Sequence, residues 1–171
     1  MRPPLRACLT IVLAVAAACG GDGGSTASRG DYYAELERIS QNAHIQERGL
    51  ARELTQRLEG PASERLSAIE INVDQRTRLY EDVVDALTEL EPLEELGAAH
   101  DAYVAAWRGE LDLIRKVRDP GFRSVSLYLG ALEASAFDNA RATVRDVCED
   151  LERIATAAGR QVDLACDGRP G

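Results

Sequence analysis

The chain has 171 residues, 45% of them apolar, and its 20 basic and 29 acidic side chains give a formal net charge of −9. This composition suits one soluble domain and excludes a disulfide-dense miniprotein or a protein with several membrane spans. The acidic balance, without any cluster of basic residues, also excludes a nucleic-acid surface, because phosphate binding needs concentrated positive charge.

The first eighteen residues have the pattern of an export signal. Arg2 and Arg6 form a short basic region, residues 9–18 are almost wholly apolar, and three alanines precede Cys19. The apolar run is shorter than the roughly 20 residues that a membrane-spanning helix needs. The five residues that end at Cys19, VAAAC, resemble the lipobox of bacterial lipoproteins, with Ala16 where that family favours leucine. The resemblance implies cleavage before Cys19 and attachment of diacylglycerol to its sulfur; the alternative is an ordinary secretory signal.

A glycine-rich segment follows Cys19 and lacks apolar periodicity, so we expect a flexible tether with a reach of about 18 Å. The predicted organisation is a signal peptide at 1–18, a lipidated cysteine and linker at 19–30, and a helical domain at 31–171. Cleavage removes two arginines and no acidic residue, which changes the net charge from −9 to −11. Because an anionic membrane repels so acidic a domain, membrane lipid bound through Cys19 is the expected attachment.

The cysteines divide between three expected fates. Cys8 leaves with the signal peptide, Cys19 carries lipid, and Cys148 and Cys166 remain in the helical domain. An exported compartment permits disulfides, and a chain that turns back after a helix ending near residue 158 can bring these two together. We therefore predict a Cys148–Cys166 disulfide, with two free buried thiols as the alternative.

Prolines divide the helical domain. Pro61, Pro92 and Pro120 separate segments at 31–59, 62–90, 92–118 and 122–158, and each segment carries apolar residues at helical spacing. Four long helices with short links predict an all-α, antiparallel up-down-up-down four-helix bundle. Two alternatives remain open: the second and third segments could form one kinked rod across Pro92, or the helices could pair with a second copy as a coiled coil. The oligomeric state is not determined by the pattern.

The apolar positions of these segments define a candidate core. We expect the aromatic residues Tyr80, Tyr103 and Trp107 to pack inside rather than to form a ligand site. The fourth segment has the most regular stripe, and its predicted inward positions are Val125, Leu129, Leu132, Ala136, Ala140, Val144, Val147, Leu151, Ile154 and Ala158.

Two polar residues interrupt these stripes. Glu47 lies between apolar positions of the first segment, and His100 lies between Leu96 and Tyr103 of the third. A buried carboxylate without a partner costs several kcal/mol. Our hypothesis is that Glu47 and His100 form, or lie beside, a polar layer inside the bundle; the alternative places both at a helix border. If both helices start level, the two residues differ in height by roughly 12 Å.

Motifs for metal binding and catalysis are missing. Di-metal helical bundles use Glu-x-x-His, but Gln41 and Gly97 precede His44 and His100 by three residues. The sequence contains no nucleophile elbow, zinc-protease, Walker or dinucleotide-binding motif. We therefore expect no metal, no cofactor and no catalytic activity.

These patterns predict a lipid-anchored, extracytoplasmic, non-catalytic binding or scaffold module at the bacterial cell envelope, with an envelope protein as the partner. The alternative function is small-ligand or sensory binding within the bundle. An exposed apolar patch would favour the protein partner. A roomy cavity near Tyr103, Trp107 and His100 would favour the small ligand.

Overall fold

A computed structural model describes residues 29–119, 121, 123–134 and 136–167. Within these ranges the chain is all-α, without a strand. The helices are α1 (Arg29–Leu58), α2 (Ala62–Glu89), α3 (Gly97–Arg118), α4 (Val125–Ala134) and α5 (Phe137–Ala157), and a 3₁₀ turn at Glu94–Leu96 precedes α3. None of the helices described is both long enough and apolar enough to cross a membrane. The predicted signal peptide and Cys19 lie outside the described residues.

The predicted proline and glycine signals coincide with most helix ends. Gly60 and Pro61 separate α1 from α2. At the end of α5, Gly159 has a φ of 76°, the Gly159 N–H donates to the Thr156 carbonyl, and the Arg160 N–H donates to the Ala155 carbonyl. These bonds form a Schellman motif, in which glycine accepts the left-handed backbone that other residues disfavour. Local sequence therefore ends α5 where the pattern predicts.

Helices α1 and α2 run antiparallel, and so do α2 and α3. The Tyr80 hydroxyl of α2 donates to Glu47 of α1, and the Asn72 amide of α2 donates to the Leu50 carbonyl of α1. The order of these contacts along α1 is therefore the reverse of their order along α2. The chain leaves α2 through extended backbone at Leu90, and α3 returns along α2, so that Arg115 pairs with Glu81. Because α2 and α3 lie side by side, the alternative of one kinked rod across Pro92 is wrong.

The fourth predicted helix is two helices, which corrects the continuous segment at 122–158. Ala136 has a φ of 58°, and α5 begins at the next residue. The break carries neither proline nor glycine, so no local signal indicates it. It changes the inward face: Tyr128 and Phe137 are buried, whereas Leu129, a predicted core position, is 44% exposed. Burial of two aromatic side chains favours the broken geometry over a straight helix.

Aromatic side chains fill the centre of the core. Tyr80, Tyr103 and Trp107 are fully buried, which confirms their predicted place, and the Trp107 ring lies 5.6 Å from that of Tyr80. Ile69, Leu87 and other apolar side chains pack around this group. None of these three aromatic side chains lines the cleft or the groove described below.

The chain after α5 folds back onto the helices as residues 161–167, here called the C-terminal strap. The Ser40 hydroxyl donates to the Leu164 carbonyl at 2.7 Å, and the Gln41 amide donates to the Asp163 carbonyl at 2.9 Å. Cys166 is joined to Cys148 of α5 by a disulfide with a Cα–Cα distance of 5.6 Å, the pairing predicted from the sequence. The strap is thereby held to both α1 and α5.

Candidate functional site

A cleft of about 260 Å³ opens between α1, α3, α5 and the C-terminal strap. Most of its lining is ionisable. The contributing side chains are His44, Glu47 and Arg48 from α1, Glu110 from α3, Arg141 and Arg145 from α5, and Asp167 from the strap.

Helical spacing places these residues together. His44, Glu47, Arg48 and Ala51 occupy positions i, i+3, i+4 and i+7 and therefore share one face of α1. On α5 the same spacing aligns Arg141, Val144, Arg145 and Cys148. Because Cys148 is on this face, its disulfide to Cys166 brings the adjacent Asp167 to the cleft.

An ion pair crosses the cleft. Glu47 Oε1 accepts hydrogen bonds from Arg141 Nη2 and, at 3.1 Å, from the Tyr80 hydroxyl. The Arg141 guanidinium also lies 5.0 Å above the centre of the Phe137 ring, a cation–π geometry. The side chain of Glu47 is 16% exposed and that of Arg141 is 38% exposed. The pair is thus half-buried, and Arg141 is held by two neighbours, Glu47 and Phe137.

Glu110 is the most deeply buried ionisable side chain of the cleft, at 1% exposure. Burial, with a further contribution from the negative charge of Glu47, raises the pKa of its carboxyl to about 7, and the charges of Arg141 and Arg76 and the Tyr80 hydroxyl oppose this increase. Among the described residues, Glu110 Oε2 has no hydrogen-bond partner. Glu110 therefore changes charge near neutral pH and presents a free oxygen.

His44 is 8% exposed, and its ring lies 5.7 Å from that of Trp107. Burial lowers the pKa of His44, and the charge of Glu47 opposes this effect. His44 Nε2 has no hydrogen-bond partner in the described part of the chain, and the same is true of two guanidinium nitrogens at the cleft, Arg48 Nη1 and Arg141 Nε. Buried polar atoms are normally paired, so four such atoms around one cleft are unusual.

The predicted pair of Glu47 and His100 is not brought together. His100 is buried elsewhere: its Nε2 donates to the Leu87 carbonyl at 2.9 Å, and its Nδ1 accepts from the Tyr32 hydroxyl at 3.0 Å. On α2, the Glu47 partner Tyr80 and the His100 partner Leu87 are seven residues apart, about 10 Å along the helix. Both side chains lie inside the structure, and their hydrogen bonds form two separate polar groups at different heights along α2.

Sequence reasoning missed Glu110, Arg141 and the role of His44. A signal for Glu110 was present, because it follows Trp107 by three residues and precedes Ile114 by four, and so shares their buried face. Arg141 carried a signal of the same kind, because it precedes Val144 of the predicted stripe by three residues.

The donor set does not suit a metal ion. Within the described ranges no group of three or more histidine, cysteine, aspartate and glutamate side chains is placed to hold one. The nearest approach is His44 with Glu47, whose oxygen is engaged by Arg141 and Tyr80. The cleft instead contains positively charged hydrogen-bond donors, the arginines, and negatively charged acceptors, the carboxylates.

A second groove of about 370 Å³ lies next to the cleft, between α1, α4 and α5. The two share Ala51 and Arg141, so the Arg141 side chain lies between them. Arg76, Tyr128 and Phe137 line the groove. Access to Arg141 from two sides explains why its side chain remains partly exposed.

Comparison with known proteins gives no match: no family model, no curated protein and no solved structure is similar to this chain.

Proposed function

We propose that this chain is a non-catalytic binding module whose cleft between α1, α3 and α5 holds a small polar ligand. One observation carries the proposal: His44 and Glu110 line the cleft, are each more than nine-tenths buried, and each carry a buried polar atom that has no partner among the described residues. An unmade hydrogen bond at a buried group costs about 1–3 kcal/mol, so these atoms favour a partner that enters the cleft.

The exposed apolar residues favour a small ligand over a protein partner. Leu127 and Leu129 of α4 are 61% and 44% exposed. They are two positions apart and so point about 200° away from each other, on either side of buried Tyr128. Ile45 and Ile71 are exposed on other helices. A protein-binding surface is expected to show one contiguous apolar patch, and Leu127 and Leu129, which point to different sides of α4, do not share one.

The test is binding of small polar molecules to the full chain in detergent, measured by calorimetry before and after the cleft is filled. Ala51→Phe places a large side chain at the cleft wall. Ala105→Phe makes the same change on the exposed face of α3 and is the matched control. We expect Ala51→Phe to abolish binding and Ala105→Phe to leave it unchanged. Equal binding by both variants would contradict the proposal.

We further propose that the module is held at the extracytoplasmic side of the cell membrane by lipid on Cys19. The VAAAC sequence supports this, and the net charge of −11 after cleavage requires an attachment other than electrostatic attraction. Metabolic labelling with a fatty acid tests it in Cys19→Ser, with Cys8→Ser as the control because Cys8 lies in the signal. We expect Cys19→Ser to lose the label and Cys8→Ser to keep it. Label in both variants, or in neither of them, would overturn lipidation of Cys19.

For the architecture, we propose that α1, α2, α3 and α5 form an up-down-up-down four-helix bundle to which α4 is an addition. The antiparallel contacts of α1 with α2 and of α2 with α3 support this arrangement. Spin-label distances between the ends of α1 and α5 test it, and a parallel pair would contradict it.

A further inference from the structure

We propose that the ligand of the cleft is a small zwitterion of the amino-acid class, with a carboxylate held by Arg48 and Arg141 and an ammonium group held by Glu110. The inference rests on the proposed function and names its ligand class. It depends on hydrogen-bonding atoms of opposite character that belong to residues lining the same cleft and have no partner among the residues that the structure describes.

The arginine side of the cleft requires an acceptor. Arg48 Nη1 and Arg141 Nε are buried donors without a partner among the described residues. Guanidinium groups stay charged at physiological pH and can only donate. Arg141 pairs with Glu47 through Nη2, and its Nε–H has no partner in the described part of the chain. A carboxylate offers two acceptor oxygens and is the usual partner of guanidinium groups in proteins.

The Glu110 side requires a donor. Glu110 Oε2 has no partner within the described ranges, the side chain is 1% exposed, and the negative charge of Glu47 is close enough to raise the pKa of Glu110. An ammonium group beside Glu110 would donate to this oxygen and offset the repulsion between the two carboxylates. The neutral His44 ring closes this side of the cleft, and its free Nε2 offers a further hydrogen bond.

A ligand with only one charge suits the cleft less well. A simple anion would place a third negative charge near Glu47 and Glu110, and a simple amine would place a further positive charge near Arg48 and Arg141. A zwitterion satisfies both ends and changes no net charge. The volume of about 260 Å³ lies below the 300–1,000 Å³ typical of sites for drug-sized ligands, which fits a molecule of amino-acid size.

Proton release is a second consequence. At pH 7 a substantial fraction of Glu110 is protonated, because its pKa is about 7. An ammonium group at Oε2 stabilises the charged carboxylate, lowers this pKa and expels the proton. A carboxylate ligand without an ammonium group would raise the pKa and take up a proton. The sign of proton exchange therefore distinguishes a zwitterion from an anion.

The experiment is titration calorimetry on the full chain in detergent at pH 7, in two buffers of different ionisation enthalpy. The twenty common amino acids are tested singly, and the tightest is compared with its amine, which lacks the carboxylate, and its acid, which lacks the ammonium group. We expect one or more amino acids to bind at least about tenfold tighter than either analogue, with release of protons. Equal binding by the acid or the amine, or proton uptake, would overturn the zwitterion.

Two variants with matched controls locate the two ends. Glu110→Gln should weaken amino-acid binding at least about tenfold without weakening the acid analogue, and Asp112→Asn, the same charge change at an exposed position of α3, should not. Arg48→Gln should weaken the binding of both the amino acid and its acid analogue. Arg52→Gln, at an exposed position of α1, should weaken neither. Unchanged affinity in Glu110→Gln would overturn the inference. If ligands other than amino acids bind and Ala51→Phe abolishes their binding, the proposed function stands and the zwitterion is excluded. If no ligand binds in a way that Ala51→Phe abolishes, both the proposed function and the zwitterion are overturned.

Discussion

Glu47 and Arg141 lie 94 positions apart in the chain and form an ion pair that joins α1 to α5 beside a buried tyrosine hydroxyl. The pair also sets the electrostatic environment of Glu110, whose pKa responds to both charges in opposite directions. Stability and the chemistry of the cleft are therefore coupled through Arg141.

Replacement of Arg141 by alanine should destabilise the fold. The change leaves the Glu47 and Glu110 carboxylates without their nearest cation and removes the contact with Phe137. Because Arg141 is 38% exposed, solvent reduces the effect below that of a fully buried pair, and we expect a loss of about 1–3 kcal/mol in urea unfolding. Arg145→Ala is the control: Arg145 faces Asp146 at 3.7 Å with both side chains exposed, and its loss should stay below about 0.5 kcal/mol. Equal losses would contradict this role of Arg141.

Glu110 should make the folded chain less stable as the pH rises through neutrality. Its pKa is about 7 in the folded state against 4.5 normally, so the folded state binds the proton more tightly. The contribution is complete below about pH 4.5 and is lost as the pH rises towards 7, by an amount of about 3 kcal/mol. The measurement is unfolding free energy from pH 4.5 to 8 in the native chain and in Glu110→Gln.

The comparison with Glu110→Gln is needed because two histidines act in the opposite direction. Burial lowers the pKa of both His44 and His100, so their protonation favours the unfolded state as the pH falls below 6.5. Their effect is common to both chains and cancels in the difference. A difference that does not change between pH 5 and pH 8 would show that Glu110 titrates normally.

Removal of the disulfide should release the C-terminal strap. Cys148→Ser combined with Cys166→Ser removes a crosslink that closes a loop with a sequence separation of 18, for which chain entropy gives about 3 kcal/mol. We expect this loss in urea unfolding, and no reaction of these two cysteines with a thiol reagent unless reductant is added. Two reactive thiols in the untreated, unfolded chain would show that the bridge does not form.

The Tyr32 hydroxyl should contribute through His100. Tyr32→Phe removes the donor to His100 Nδ1 and leaves a buried acceptor unpaired, at an expected cost of about 1–2 kcal/mol. The neighbouring Tyr33, also buried, is the matched position for a phenylalanine substitution, and its replacement should cost less than about 0.5 kcal/mol. Thermal unfolding measures both, and a larger loss at Tyr33 would contradict the assignment.

Local signals in the sequence determined the helical class and most helix ends. The 3.6-residue spacing of apolar side chains marks a helix wherever one face is buried, and the Gly60–Pro61 and Gly159 signals act through backbone geometry alone. The disulfide partners were also predictable, because only two cysteines remain after the signal peptide and Cys19 are set aside. These features depend on short stretches of chain or on simple counting.

Only the tertiary structure decided the break before α5 and the composition of the cleft. The break at Ala136 has no proline or glycine; it depends on the burial of Tyr128 and Phe137 against helices far away in the chain. The cleft depends on register: Glu110 shares the Trp107 face in sequence, but its approach to Glu47 and Arg141 requires the relative heights of three helices. A shift of one turn, about 5.4 Å, separates such side chains, and periodicity carries no information about height between helices.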